Sequence, residues 1–311
     1  MNDELRLARL LEHALQLMHG GHHDQAIDVL TRVLGEAPDH SDAHAILASC
    51  LVRRKRLYAA DLEAALALEL DPDSLLAHLA MAAVQIARGA FKQAEAHIDA
   101  ARALAPESAD TCRLAATLYQ NWGKPERALT EIVEASERDP DDPGVWAQYG
   151  WIEYDRGRRE PARAHAQRAL EIDPEHIDAL VLLGHCDLAA GRVEEARAHA
   201  LWALQNEPGD EGALTLLAAI KARQNWFLGV WWRFQTWITA GSSRRAIALL
   251  VGMYLLYRAA GIALVDHGLK SWTPGLSIVW LGFCVYTWFA PGIFMRSVRR
   301  ELETVKLRPD F

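Results

Sequence analysis

Six prolines, Pro38, Pro72, Pro106, Pro140, Pro174 and Pro208, follow one another at an unbroken interval of 34 residues. Six alanines, Ala26, Ala60, Ala94, Ala128, Ala162 and Ala196, keep the same interval, each 12 residues ahead of its proline. Two ladders in phase over this length call for a stack of like supersecondary units, in which each unit buries its apolar face against its neighbours. Such stacks present long surfaces to partners.

Framed on the prolines, the units are 7–40, 41–74, 75–108, 109–142, 143–176 and 177–210. Each is expected to hold two helices. The fifth shows why. Trp146, Tyr149, Gly150 and Tyr154 recur at helical spacing, Gly157 marks a turn, and Ala162, Ala166 and Ala169 line a second helix that Asp173-Pro174 closes. Proline ends a helix because it lacks an N–H and restricts the residue before it. Gly150 is expected to face Ala162, where a larger side chain would hold the two backbones apart. After Pro208 one helix remains, over 211–224, with Leu214, Leu217 and Ala218 on its inner side; it is expected to cap the array.

The chain resembles the tetratricopeptide repeat proteins, whose units place Trp, Leu-Gly, Tyr, Ala, Phe, Ala and Pro at fixed offsets. Leu183-Gly184, Leu188, Gly191, Ala196, Ala203 and Pro208 fit that pattern in the sixth unit. Units one and two depart from it, with Ala14 and Leu17, and Ala48 and Leu51, at the Gly and Tyr positions, and the basic run Arg53 to Arg56 as the second turn. The resemblance covers about residues 5–222 and implies an all-α, right-handed helical-repeat solenoid. It also implies that first helices line an inner groove, with exposed positions at the second, fifth, ninth, twelfth and thirteenth residues of a unit. Carried over, these rows give Leu79, Ala83 and Ile86, then Arg113, Thr117, Gln120 and Asn121, then Trp151, Asp155 and Arg156, then Val181 and His185. An apolar strip running into a polar patch, with one large aromatic between, suits an extended peptide or an amphipathic helix. An aromatic beside arginine suits a binding hot spot. One variety of the family clamps a chaperone's C-terminal carboxylate with Lys, Arg and Asn at the fifth and ninth positions. Only Arg113 would serve here, so that ligand is not expected.

Charge divides the chain. Residues 1–225 hold 23 Lys/Arg against 37 Asp/Glu, and residues 226–311 hold 10 against 4. An acidic array repels phosphate, so no nucleic-acid partner is expected. The sequence holds 11 tryptophans, and 7 lie after residue 225. Residues 246–265 and 276–295 are apolar stretches of 20 residues, about 30 Å each as helix, which matches a bilayer core. Ten residues join them, and Arg258 is the one charge within the pair. Basic residues flank both outer ends while the connection has only Lys270, so the positive-inside rule puts both termini, and the repeats, in the cytoplasm, with 296–311 as a basic tail. Over 225–245, Trp226, Trp231 and Trp237 share one side of a helix with Phe227, Val230, Phe234 and Ile238, which suits a bilayer interface. Arg258 can snorkel to lipid headgroups or meet another membrane subunit.

The four cysteines, Cys50, Cys112, Cys186 and Cys284, form no C-x-x-C motif. His13, His19, His22 and His23 cluster near the first turn and allow a metal-binding reading, without the carboxylate spacing of a known site. No nucleophile motif, phosphate loop or paired-carboxylate cleft stands out, so no catalytic residue and no cofactor are expected. Three functions follow. One is a membrane-anchored adaptor that binds a protein or peptide; a second is a subunit of a membrane secretion, assembly or transport complex; a third, resting only on the histidines, is a metal-binding accessory.

Overall fold

A computed structural model describes residues 2–207, 209–224, 254–255, 257–264, 266, 274–278 and 280–282. All described secondary structure is helical or turn. The chain divides into two compact units, Met1–Cys186 and Asp187–Phe311.

The first unit is built of helical hairpins. These pair α1 (Asn2–His19) with α2 (His23–Glu36), α3 (Ser41–Arg53) with α4 (Leu57–Leu70), and α5 (Leu75–Ala87) with α6 (Phe91–Leu104). They continue with α7 (Ala109–Asn121) on α8 (Pro125–Arg138) and α9 (Pro143–Asp155) on α10 (Arg159–Ile172). The first helices also pack in succession, α1 on α3, α3 on α5 and α5 on α7. Helix α11 (Ile177–Ala189) begins in this unit and ends in the second, which continues with α12 (Val193–Asn206) packed on α13 (Glu211–Gln224).

The alanine ladder is the hairpin contact. Ala26, Ala60, Ala94, Ala128, Ala162 and Ala196 are all fully buried, and so are Ala14, Ala48, Ala82 and Ala116 on the facing first helices. In the fifth hairpin that facing residue is Gly150. A Cβ there would lie 3.0 Å from the Ala162 carbonyl oxygen and 2.5 Å from Leu182 Cδ2, so the expected approach of Gly150 to Ala162 is present and is too close for a side chain.

The turns repeat as closely. Gly21, Gly89, Gly123, Gly157 and Gly191 take left-handed conformations, and Lys55 holds the equivalent place with φ 58°. The residue after each donates its backbone N–H to a carbonyl five residues back, as in Ala90 N–H to Gln85 O and Arg56 N–H to Leu51 O. This is the Schellman cap, which needs one left-handed residue and therefore favours glycine. Helices α5, α7, α9 and α13 then start on side-chain caps: Ser74 accepts from the Ala77 N–H, Ser108 from Thr111, Asp142 from Gly144 and Asp210 from Ala213.

The proline ladder has a second role beyond ending helices. Ring N–H groups six residues downstream donate to proline carbonyls: Trp146 Nε1 to Pro140 (2.8 Å), His44 Nε2 to Pro38 (2.8 Å) and His78 Nε2 to Pro72 (3.0 Å). Histidine thus substitutes for the tryptophan at the fourth position of a unit. Pro208 lies outside the described residues.

In the second unit the described residues between 254 and 282 form helical stretches that lie side by side. The Tyr257 and Trp280 rings stack at 4.8 Å, and the Tyr257 hydroxyl lies 3.3 Å from Ser277 Oγ. Arg258 is exposed on the first of them. Among the described residues no helix is long and apolar enough to cross a membrane. Most of the expected spans 246–265 and 276–295, and all of 225–245 with Trp226, Trp231 and Trp237, lie outside the described residues.

Candidate functional site

The first-helix face of repeats four and five is a connected polar strip. The Arg113 guanidinium reaches Asp110 at 3.1 Å, with Asp142 at 4.0 Å. Thr117 accepts from Gln148 Nε2 at 2.9 Å, which joins α7 to α9. Gln120 Nε2 donates to the Asp155 carboxylate at 2.7 Å, a second link between the same helices. Asn121 donates to the Thr117 carbonyl and is exposed. Arg113, Thr117, Gln120 and Asp155 therefore meet on one surface, as the rows carried over from the resemblance imply. Gln148 belongs with them and was not among the expected positions. Its signal is a lone amide in the otherwise apolar run Val145–Gly150.

Next to this strip the aromatics gather. Trp151 meets Tyr154 edge-on at 5.7 Å and His185 edge-on at 5.5 Å, and all three rings are half-buried. Burial lowers the His185 pKa from its ordinary value, so the ring is neutral at physiological pH. The patch therefore offers uncharged aromatic faces beside an arginine and an amide network.

Three expected groove residues stand elsewhere. Ile86 is only 9% exposed and sits in the core cluster with Ala115, Leu118 and Tyr119 of α7, because the succession of first helices closes over it. Val181 is 3% exposed within Leu180–Leu183, a helical stretch apolar on every side and hence buried on every side. Arg156 stands one place past the inner rows, as the C-cap of α9, and its half-hidden guanidinium pairs with Glu126 at 2.8 Å. Leu79 is half-buried on α5, as an inner position should be.

The histidines of the first turn do not converge. His13 and His22 are exposed, while His23 is partly buried near Arg53 and Arg54, and its pKa is pushed down to about 4 by burial first and by those two cations second. The His19 side chain lies outside the described residues. Among the described residues three possible metal ligands come together at Cys112, Glu131 and Glu134 instead. Two cations already occupy that cluster. Arg102 pairs with Glu131 (2.6 Å), and Arg138 pairs with Glu134 (2.6 Å) while donating to Cys112 Sγ (2.8 Å). It is a compensated ion-pair network between α6, α7 and α8. The basic run Arg53 to Arg56 is a helix end, with Arg54 paired to Asp24 at 2.9 Å.

Caps, alanine seam and turn ladder define a helical-repeat array of the tetratricopeptide type. A tetratricopeptide repeat model matches residues 17–84 and again 85–152, so the chain contains such repeats. A second model, the middle tetratricopeptide-like domain of cilia and flagella-associated protein 70, matches residues 137–245. Solved structures agree in fold. A tetratricopeptide repeat protein from Parabacteroides merdae shares 17% identity over 70% of this chain and 85% of its own, with a TM-score of 0.55. The Cut9–Hcn1 hetero-tetramer of the APC/C shares 14% over 69% of this chain, with a TM-score of 0.53, and only 42% of that longer chain is spanned. No curated protein matches the chain.

Proposed function

We propose that this chain is a non-enzymatic adaptor whose repeats hold a protein or peptide partner on the first-helix face of repeats four to six. Helical-repeat arrays supply extended binding surfaces, and this one carries no nucleophile–base pair among the groups described above. The observation that carries the reading is the aromatic patch of Trp151, Tyr154 and His185 set against the Arg113–Thr117–Gln148 network. An apolar anchor of the partner packs on the rings, and its backbone or polar side chains meet Arg113, Gln120 and Asn121. Trp151→Ala combined with Arg113→Ala should abolish co-purification of the partner from solubilised cells, with the array's circular dichroism unchanged. Undiminished capture would move the site off this face.

The second part of the reading is an anchor. Residues 246–265 and 276–295 are proposed to cross the membrane as a hairpin, with the repeats and both termini cytoplasmic and 225–245 at the lipid interface. Their length, their basic flanks and the Tyr257–Trp280 stack between the two stretches support it. Alkaline extraction of membranes should leave the full chain in the pellet, and release into the supernatant would overturn the anchor. A hairpin that also packs on other membrane subunits would make the chain part of a larger complex. In that case exchanging it for an unrelated two-span segment would remove function while retaining membrane attachment.

A further inference from the structure

In α3, α5, α7 and α9 the fourth residue faces the hairpin partner, and the four hairpins fill this place differently. His44 lies against the Glu63 carboxylate (2.5 Å), Cys112 sits in the Arg102–Glu131 and Arg138–Glu134 network, and Trp146 stacks on His165 (5.6 Å). In the third hairpin the pair is His78 on α5 and His97 on α6, with their Nδ1 atoms 3.2 Å apart.

Two features mark this pair, the first shared with His44 on Pro38 and Trp146 on Pro140, the second its own. The His78 Nε2–H donates to the Pro72 carbonyl at 3.0 Å, which leaves Nδ1 as the ring nitrogen that faces His97. The contact also carries no carboxylate or cation: it is nitrogen against nitrogen, held by one proton that His97 donates from Nδ1. Both rings are half-exposed, so a solvated ion can reach them.

We infer that His78 and His97 form a binding site for a divalent transition-metal ion of the zinc class. Two imidazole nitrogens on a tetrahedral zinc, at about 2.0–2.1 Å each, lie about 3.3 Å apart. The observed separation already matches that bite. The ion replaces the shared proton. His97 moves its proton from Nδ1 to Nε2, small ring rotations aim both lone pairs at one point, and water completes the coordination on the open side. No net proton is released. The Pro72 carbonyl acts as the outer partner that fixes the His78 tautomer, a role such carbonyls hold behind metal-bound histidines. With two protein ligands, affinity is below that of a four-ligand structural site.

The test is a titration of the full chain with zinc chloride alone, followed calorimetrically. A saturable phase of one ion per chain is expected. It should weaken by about tenfold or more in His97→Ala, which leaves the His78–Pro72 bond and the fold in place. The phase should persist in a His22→Ala/His23→Ala chain. In histidine-labelled chain, long-range proton–nitrogen spectra should show both His78 and His97 as Nε2–H tautomers once zinc is bound. A His97→Ala titration that superimposes on wild type, the loss of the phase in the His22/His23 chain instead, or the absence of any saturable phase would each overturn the site.

Discussion

Repeats three and five rest on the same hairpin and differ in what they place around it. In repeat three, Ala82 faces Ala94, the fourth position is histidine and the groove face offers Leu79 and Ala83. In repeat five the seam residue shrinks to Gly150 while its surroundings grow to Trp146, Tyr149, Trp151 and Tyr154. Tyr149 stacks on His165 at 3.9 Å and Trp146 on His165 at 5.6 Å. The seam is thus constant in geometry and variable in volume. Losing a methyl at its centre lets the two helices keep their approach while large rings fill both flanks. On the groove face, small aliphatic side chains serve repeat three, while repeat five sets large rings there.

The largest effect that can break this comparison is at the seam. Glycine inside a helix normally gains about 0.5–1 kcal/mol on replacement by alanine. At Gly150 the sign should reverse, because the new Cβ meets the backbone oxygen of Ala162 at 3.0 Å. Gly150→Val is expected to destabilise the array by about 2–3 kcal/mol in urea unfolding, an overpacking cost. Ala82→Gly in repeat three should lose about 1 kcal/mol, through helix propensity and a missing buried methyl. A neutral Gly150→Val would mean that the seam is looser than described.

The fourth position comes next. Trp146→Phe removes the donor to Pro140 and should cost about 1 kcal/mol, the usual net value of one hydrogen bond. His78→Phe should cost a similar amount through Pro72. If only one of the two matters, the histidine is not an equivalent of the tryptophan.

The turns sharpen the comparison further. Lys55 is the one left-handed residue of the turn ladder that is not glycine. Lys55→Gly should stabilise the chain by about 0.5–1 kcal/mol, since relief of the left-handed strain exceeds the added freedom of the unfolded chain. Gly157→Lys, the reverse change, should destabilise by about the same amount. A loss of stability in Lys55→Gly would show that the lysine makes contacts that outweigh its strain.

A last difference lies on the pH axis. The folded-state pKa of His23 is depressed to about 4 from an ordinary value of 6.5. Between those values the unfolded chain binds a proton that the folded chain refuses, so stability falls as pH drops from 6.5 towards 4. The ring is partly exposed, and solvent screening reduces the size of the effect. The urea midpoint of wild type should fall more between pH 7 and pH 5 than that of His23→Gln. Equal slopes would remove His23 from the account.

Much of the fold could be read from the chain, for a physical reason. A small residue at a helix seam is required by sterics and proline after a helix cannot continue it, so the second-helix alanines and the prolines recur at every unit. The turn ladder was hidden because one of its members is Lys55, and Schellman geometry shows only when φ is known. The shared surface of Arg113, Gln120 and Asp155 was legible because polarity marked it. They were misread at Ile86 and Val181, where the face exposed in a single helix is covered by the next helix or by an apolar environment. Gln148 was missed because its bonds to Thr117 and the Arg113 carbonyl cross from one repeat to the next.

The claim that repeats four to six hold the partner is tested most directly by site-specific photocrosslinking in cells. A photoreactive amino acid at Trp151 should yield one discrete adduct that disappears when Arg113→Ala is added. The same group at Arg168, exposed on α10, should yield none. Equal adducts at both positions, or an adduct at Arg168 alone, would contradict the account.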